Sequence, residues 1–395
     1  MPQQRAMPAP LSGWLRRRLL RLGLTAPLWP LITPAQTPTV PATQIAAPVL
    51  TKRTLQFPRD FGSHPDFAIE WWYLTGQLTA DADSGALPEK PAFGFQLTFF
   101  RSRVAATQNM RSRFAAKQLI FAHAALTDVK GKKLLHDQRI ARAGFDLAQA
   151  DERDTGIKLR DWSLERVAAQ YHAIAVGSDF QFDLRSLETQ ELLLQGERGL
   201  SRKGPDAAQA SFYYSLPQLQ VTGHLSLQGR PMPVHGTAWL DHEWSQAMLH
   251  PQAVGWDWIG MNLLDGSALT AFQLRDKAGH ALWEGGSLRQ SATGAVPHVF
   301  GHGDVQFQAI RHWTSPLTRA SYPVAWIVHI YPQSTANALV RSYTVKAVID
   351  NQELDSRQST GAVYWEGLSE LFDSQGNLVG RGYLEMTGYA SPLRL

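Results

Sequence analysis

The densest set of chemically capable residues lies at 239–244, where the sequence reads WLDHEW. Asp241, His242 and Glu243 are three consecutive ionisable residues between two tryptophans, and such residues are costly to bury without a purpose. On a β-strand neighbouring side chains point to opposite sides, so His242 and Trp244 would share one side. Trp239, Asp241 and Glu243 would share the other.

A second candidate segment reads WDW at residues 256–258. Burial against aromatic rings raises the pKa of a carboxyl group, so that Asp257 or Asp241 would stay protonated as an acid. The indole faces of Trp256 and Trp258 would attract a developing cation, and His242 would hold a water molecule. These groups suit the addition of water to an alkene, a route that needs no cofactor.

Other chemistries find little support in the sequence. Adjacent strand residues diverge and no His-Glu-x-x-His spacing occurs, so Asp241, His242 and Glu243 do not predict a metal site. The Gly-x-Ser-x-Gly motif of serine hydrolases is absent, and the chain has 0 cysteines, which excludes thiol chemistry. We also find no phosphate-binding loop and no basic, aromatic face of the kind that binds nucleic acid.

The elements that must position these residues are β-strands. After residue 50, segments with a period of two recur between short turns, as in residues 93–99 (FGFQLTF), and convincing helical periods are rare. Hairpin turns are predicted at residues 128–131, 228–229, 276–279 and 373–376. The sequence therefore predicts an all-β chain of barrels or sandwiches.

An internal repeat divides the chain. Residues 70–78, with the letters EWWY, resemble residues 255–263, with GWDW, and each copy leads to a Phe-Gln-Leu segment. A second pair of similar motifs, GTAW at 236–239 and GAVYW at 361–365, ends the two copies. The first copy also has a longer loop at residues 81–91. Two homologous domains follow, predicted at residues 54–245 and 246–395.

The N-terminus has the parts of an export signal. Residues 16–21 supply arginines, an apolar run follows at 22–32, and a small residue stands at Ala35. We predict an export signal at residues 1–35, which directs the chain to the Sec or the twin-arginine pathway, and a linker at 36–53. The apolar run is too short to serve as a lasting membrane anchor, so the mature protein is expected in the periplasm or outside the cell.

The net charge gives no reason to expect a nucleic acid partner. The formal charge is +4, but the first fifty residues carry five arginines and no acidic residue. Without those arginines 33 basic residues face 34 acidic ones, so the rest of the chain is nearly neutral.

The motifs, taken in order, resemble the AttH and carotenoid hydratase family. They are EWWY at 70–73, HAA at 123–125, WLDHEW at 239–244, WDW at 256–258, YWEG at 364–367 and GYLE at 382–385. The resemblance covers roughly residues 54–391. It implies two tandem lipocalin-like antiparallel β-barrels packed against each other, with an apolar ligand held at or near their junction.

The resemblance also implies site residues. A His-x-Trp pair in the similar hydratases corresponds to His242 and Trp244, and Asp257, then Asp241, is the best candidate for the acid. Ligand contacts are predicted for six aromatic or histidine side chains: Trp244, Trp256, Trp239, Tyr73, Trp72 and His123. Packing within the barrels is the alternative role of several of them, as it is for Glu70 and Glu366.

Two functions remain open from the sequence. The first is an accessory or carrier protein that binds an isoprenoid- or lipid-like molecule and serves an ABC-type exporter. The second is a hydro-lyase that adds water to a carbon–carbon double bond of an isoprenoid. The export signal favours the first, because a substrate of the enzyme would have to be delivered outside the cytoplasm.

Overall fold

The computed structural model describes residues 49–80, 90–247, 249–291, 294–331 and 340–393. In these ranges the chain is almost entirely β-structure, with short 3₁₀ helices at Arg59–Phe61 and Ala105–Thr107. The prediction of an all-β fold with two lipocalin-like barrels is confirmed. The predicted signal at 1–35, most of the linker and most of the 81–91 loop lie outside the described residues.

The first barrel is an antiparallel sheet of strands β1 to β13. Their bounds are β1 Ile69–Ala80, β2 Phe93–Arg103, β3 Gln118–Asp128, β4 Lys133–Arg142, β5 Ala148–Ala150, β6 Gly156–Leu159, β7 Trp162–Val167, β8 Gln170–Val176, β9 Phe180–Leu187, β10 Leu193–Leu194, β11 Leu200–Arg202, β12 Ala210–Leu227 and β13 Arg230–Ala247. The main order is β4-β3-β2-β1-β13-β12-β9-β8-β7-β6-β5. The sheet curls until β4 approaches β6 and encloses an apolar interior.

The second barrel is built in the same way from strands β14 to β23. They are β14 Gly255–Leu263, β15 Ala268–Arg275, β16 Ala281–Arg289, β17 His298–Phe300, β18 Val305–Thr314, β19 Ser321–Ile330, β20 Arg341–Ala347, β21 Glu353–Asp355, β22 Val363–Phe372 and β23 Leu378–Met386. The main order is β17-β16-β15-β14-β23-β22-β20-β19-β18. Among the described residues, no helix has the length and apolar character needed to cross a membrane.

All four predicted turns join neighbouring antiparallel strands. The turn between β12 and β13 shows why its residues are suited to it. Gln228 and Gly229 both have positive φ, at 51° and 75°, as a two-residue turn that matches the twist of its strands requires.

The first repeat motif occupies equivalent positions in the two barrels. Strand β1 pairs with the second and the last strand of its barrel, and β14 does the same in the other. The prediction that a second shared motif ends both copies of the repeat is wrong in one respect. Residues 236–239 lie on the last strand of the first barrel, whereas 361–365 lie before or on β22, the last strand but one of the second. By strand pairing, the counterpart of β13 is β23.

A buried polar network occupies one end of the first barrel. The carboxylate of Glu70 accepts hydrogen bonds from Arg101 Nε at 2.7 Å, His242 Nε2 at 2.9 Å and His64 Nδ1 at 2.7 Å. Burial alone would raise the pKa of Glu70, but the hydrogen bonds from His242 and His64 hold it below its ordinary value. Asp60 faces the other ring nitrogen of His64 at 2.9 Å and binds Arg53 through two hydrogen bonds.

The two histidines of this network are stacked between tryptophans. The ring of His64 lies 3.8 Å from that of Trp244 and nearly parallel to it, and His242 stacks on Trp72 at 4.5 Å. His242 Nδ1 accepts a hydrogen bond from the Tyr214 hydroxyl at 2.9 Å. The network therefore fixes residues 53–64 to the barrel end and gives each ring nitrogen of the two histidines a partner.

We predict that Glu70→Gln destabilises the protein by about 3–5 kcal/mol, because it leaves the guanidinium of Arg101, only 2% exposed, without its carboxylate. Urea unfolding would measure the loss. The control is Arg311→Gln, which breaks the ion pair with Asp350 at side-chain exposures of 46% and 39% and should cost less than about 1 kcal/mol. Equal small losses in both variants would contradict a structural role for the network.

Candidate functional site

The two barrels contact each other through the outer faces of their first and last strands, and a cavity of about 280 Å³ lies between them. The residues packed around it form an apolar cluster of their own that includes Tyr73, Trp239, Trp258 and Phe272. Strands β1, β13, β14 and β23 are thus covered on both faces. Among the polar groups that they turn toward the junction, Asp241 and Glu243 are buried and Glu385 is half-buried.

Strand register sets out a polar row on the wall formed by the first barrel. Thr98 is paired with both His123 and Tyr73, and Asp241 is paired with both Tyr73 and Ser215. Directly paired residues point to the same face of a sheet, so the side chains of this row project toward the second barrel.

The opposite wall carries a matching row. Trp258 is paired with Phe272 on one side and Glu385 on the other, and Glu385 is paired in turn with Glu366. Trp258 holds the position in β14 that Tyr73 holds in β1, and the two rings meet edge to face at 5.4 Å. The first strand of each barrel faces the last strand of the other, and Asp241 and Glu385 are counterparts.

Asp241 is a buried acid held by three donors. Tyr213 Oη, Ser215 Oγ and Trp239 Nε1 each donate a hydrogen bond at 2.6 Å. Burial raises the pKa of Asp241 to about 7 in spite of these bonds, and the charge of Glu243 adds to the rise. The group is therefore poised to exchange a proton near neutral pH.

Glu366 and Glu385 form a pair of acids on the adjacent strands β22 and β23. Burial and the charge of Glu385 raise the pKa of Glu366 well above its ordinary value. Burial raises the pKa of Glu385 to about 7, and the neighbouring acids Asp241, Glu243 and Asp257 contribute to the rise. Because two like charges this close oppose each other, the pair retains a proton at neutral pH.

The hydroxyl of Tyr73 lies within hydrogen-bonding reach of the carboxyl group of Glu366, and the two residues are only 6% and 3% exposed. Burial and the nearby charge of Glu366 raise the pKa of Tyr73 well above its ordinary value. Because both groups are buried, each is the hydrogen-bonding neighbour available to the other.

A buried lysine lies on the first wall. Lys203 Nζ is 3.0 Å from Glu243 Oε1, at side-chain exposures of 6% for both residues. The ammonium also lies 4.8 Å from the ring centre of Tyr213 and 4.1 Å from that of Phe272. Glu243 also accepts a short hydrogen bond from Ser211.

His123 joins the two barrels at the edge of the cavity. Its Nδ1 lies 2.8 Å from the Tyr364 hydroxyl and its Nε2 lies 2.9 Å from Ser359 Oγ. Burial lowers the pKa of His123 to about 3, so the ring is neutral. A neutral ring with both nitrogens engaged is suited to orienting Tyr364.

The structure brings four of the sequence-predicted site residues to the cavity. Tyr73, His123, Asp241 and Trp256 line it. Trp239 lies behind the wall, where its indole donates to Asp241 and meets Trp258 edge to face at 6.4 Å.

The other predicted residues lie inside the barrels. His242, Trp244 and Trp72 point into the first barrel, on the side of the sheet away from the cavity. Asp257 points into the second barrel, where Arg275 Nε donates to it at 2.6 Å. His242 and Asp257 are therefore not brought together, because each lies on the interior face of a different barrel.

Metal-capable groups come together at one place in the described part of the chain. His64, Glu70 and His242 offer ligand atoms that lie within 4.8 Å of one another. These atoms hydrogen-bond to one another, to Asp60 or to Tyr214, which accounts for their arrangement.

The sequence analysis did not select Glu366, Glu385, Glu243, Lys203 or Tyr213 as site residues. The first two stand in motifs that the resemblance already rested on, YWEG and GYLE. A glutamate within an aromatic motif was the available signal. What the sequence lacked was the register that sets Glu366 opposite Glu385.

Together these groups can do acid–base chemistry on a mostly apolar molecule. The cavity offers a carboxyl pair that keeps one proton, a second poised acid at Asp241, and indole and phenol rings that stabilise positive charge. Its volume lies near the lower limit of typical ligand sites.

Comparison with solved structures agrees with this architecture. An AttH structure from Nitrosomonas europaea is 46% identical, covers 87% of this chain and 99% of its own, and has a TM-score of 0.77. Kievitone hydratase from Nectria haematococca is 12% identical, with coverage of 87% and 98% and a TM-score of 0.62. CghA bound to Sch210972 is 10% identical, with coverage of 82% and 89% and a TM-score of 0.52.

The last two similarities concern the fold alone. The sequence has no significant match among curated proteins. The profile of the AttH-like family matches residues 48–389, which is nearly all of the described chain. The chain therefore belongs to the AttH-like family.

Proposed function

We propose that the cavity between the barrels binds a small, mainly apolar molecule and catalyses the reversible addition of water to a carbon–carbon double bond. The observation that carries this proposal is the pair formed by the buried Glu366 and the half-buried Glu385, on a wall that also carries aromatic side chains. Hydration of an alkene requires a protonated acid, a surface that stabilises a cation and a base for the water. The pair and the rings around it supply all three.

The two glutamates take different roles in this reaction. Glu366, whose pKa is raised by burial and by the charge of Glu385, donates its proton to one alkene carbon, and the other carbon becomes cationic beside Trp256 and Trp258. Water then bonds to that carbon and loses a proton to the carboxylate of Glu385. Transfer of this proton from Glu385 to Glu366 restores the starting state, and no electrons are exchanged with a cofactor.

The size of the cavity restricts the substrate. At about 280 Å³ it encloses a short prenyl group or a small aromatic molecule. A long isoprenoid would have only its reacting end inside, which fits acid chemistry at a terminal double bond.

We predict that Glu366→Gln and Glu385→Gln each lower turnover at least a hundredfold, because the first removes the donated proton and the second removes the base. The measurement is incorporation of ¹⁸O from labelled water into short prenyl alkenes and exchange from the corresponding tertiary alcohols. The matched control is Glu165→Gln, at an exposed position on β7 in the first barrel, which should retain full turnover. Full turnover in Glu366→Gln would refute the acid role.

The pH dependence follows from the raised pKa of Glu385, about 7. Below that value Glu385 is protonated and cannot accept a proton from water. We predict that kcat/KM rises as the pH increases from 5 to 7 and levels off above it, and that Glu385→Gln removes this dependence. Initial rates measured across this range give the result, and a rate that falls through pH 7 would reverse the assignment of donor and base.

A non-catalytic carrier in the periplasm that serves an ABC-type exporter is the second candidate, favoured by the signal-like sequence at residues 1–35. We predict for this case that the mature protein isolated from its own cell retains an apolar molecule. Native mass spectrometry with lipid extraction would detect it. Enlarging Ala362, which lines the cavity, to Leu should then reduce retention, whereas Glu366→Gln should leave it unchanged.

A further inference from the structure

Two aromatic side chains are exposed at one end of the first barrel. Phe114 lies in the loop that joins β2 to β3, and Phe145 lies in the turn that joins β4 to β5. These residues are 74% and 47% exposed, and their rings stack at 5.7 Å with an angle of 17° between the planes. Met110 in the same loop and Leu147 in the same turn are exposed as well. A group of large apolar side chains left in solvent is typical of a surface that meets a partner.

The exposed rings are held in place by their surroundings. The guanidinium of Arg142 lies 3.9 Å from the ring centre of Phe145 and 5.6 Å from that of Phe114. Arg142 Nη1 also donates a hydrogen bond to the carbonyl of Phe114 at 2.7 Å. Within the loop, Thr107 Oγ1 donates to the carbonyl of Ala116 at 2.7 Å and so joins its two halves. The rings are therefore presented to solvent by a loop of defined conformation.

The same surface is rich in positive charge. Positions 101–127 contain no acidic residue. The loop, the turn and the strand ends beside them carry five cations, of which all except the last are exposed: Arg103, Arg111, Arg113, Lys117 and Arg142. Two exposed acids, Asp146 beside Phe145 and Asp66 just before β1, offset these cations only in part, and a surplus of three positive charges remains. The partner of this surface is therefore expected to be anionic.

The cavity between the barrels opens at this end. Strand β1 lines it with residues near its start and β2 with residues near its end, which are Ile69, Trp71 and Tyr73 on β1 and Thr98, Phe100 and Ser102 on β2. Ile69 and Ser102, nearest the barrel end, are half-buried, whereas Tyr73 and Thr98 are buried. The mouth of the cavity therefore lies on the side where β2 continues into the loop that carries Phe114.

We propose that this surface docks the protein on the anionic face of a lipid bilayer. Aromatic rings are favoured in the interfacial layer of a membrane, and arginine and lysine side chains are attracted to anionic lipid headgroups. Phe114 and Phe145 enter the headgroup layer, and the exposed cations around them contact its phosphate groups. The mouth of the cavity then lies beside the membrane, so an apolar molecule can pass between them with little exposure to water. The docking surface does not depend on the reaction proposed for the cavity.

Positive charge alone does not distinguish this surface. The turn between β3 and β4, at the other end of these strands, carries three exposed lysines, at positions 130, 132 and 133. The apolar residues of that turn, Val129 and Leu134, are half-buried. The loop with Phe114 combines positive charge with exposed aromatic rings, which is the combination that a bilayer surface binds.

The test uses a single fluorescent probe, because the chain has 0 cysteines and one introduced cysteine can be labelled selectively. Asn109→Cys, next to Met110, places a nitrobenzofurazan probe in the loop, and Gln375→Cys places it in the exposed turn between β22 and β23. The full chain would be titrated with vesicles of phosphatidylcholine and phosphatidylglycerol in a three-to-one ratio, and with vesicles of phosphatidylcholine alone.

We expect the probe at position 109 to brighten and shift to the blue with the anionic vesicles only, and to be quenched by nitroxide-labelled lipids. The probe at position 375 should not change. Because the readout is local, attachment of the chain through its basic residues 16–21 does not produce this signal. A probe at position 109 that does not respond would overturn the proposal and point to a protein partner, and an equal response at position 375 would also overturn it.

Two kinds of variant, made in the chain labelled at position 109, test the charges and the rings separately. Arg111→Gln combined with Arg113→Gln should weaken vesicle binding about thirtyfold, and added salt should weaken it in the parent protein. The matched control, Lys130→Gln combined with Lys133→Gln, makes the same change of charge at the other end of β3 and should have little effect. Phe114→Ser should weaken binding about tenfold. Equal affinities of the two charge variants, or full binding by Phe114→Ser, would contradict the docking surface.

Discussion

The constraint on which the structure depends is that the four strands at the junction of the barrels are buried on both faces. A strand presents alternate residues to its two sides, so β1, β13, β14 and β23 must fill a barrel interior with one set and the junction with the other. The segment at 239–244 shows the result. Leu240, His242 and Trp244 enter the first barrel, and Asp241 and Glu243 enter the cavity. One short sequence thus serves a structural network and a candidate reaction site.

The two barrels are built alike, but their equivalent residues have diverged. Asp241 and Glu385 hold counterpart positions on the last strands, each opposite an aromatic residue of the first strand. Three hydrogen-bond donors hold Asp241, whereas Glu385 lies opposite another acid, Glu366. Donors stabilise an ionised carboxylate and a neighbouring acid opposes it, so the same backbone frame provides two acids in contrasting surroundings.

The fold could be predicted from the sequence because it depends on local patterns. The period of two, the hairpin turns and each copy of the repeat motif can be read from short segments, and each corresponds to strands that the structure contains. The separation of Asp241 from His242 also followed from alternation. The same alternation places Asp257 on the opposite face of β14 from Trp256 and Trp258, so the tryptophans beside it in sequence do not surround its carboxyl group.

The glutamate pair could not be predicted in the same way, because it depends on pairing between strands. Glu366 and Glu385 are 19 positions apart, and their proximity follows from the register of β22 against β23. A shift by one residue would turn either side chain into the second barrel. Long-range register, unlike periodicity, is fixed by the packing of the whole barrel.

The same packing explains why the acids at the junction are better suited to catalysis than to stabilising the contact between the barrels. An interface selected for stability alone would gain by replacing Glu366 and Glu385 with apolar residues, because each buried carboxyl group has to be desolvated and the pair repels when ionised. The Glu70 network is different, since Arg101 compensates its charge and its oxygens have donors. Glu366 and Glu385 instead face each other, with the phenols of Tyr73 and Tyr364 beside Glu366, and such a like-charged pair is an exception to charge compensation. Such local exceptions are concentrated at functional sites, which is the physical reason for placing the reaction between the barrels.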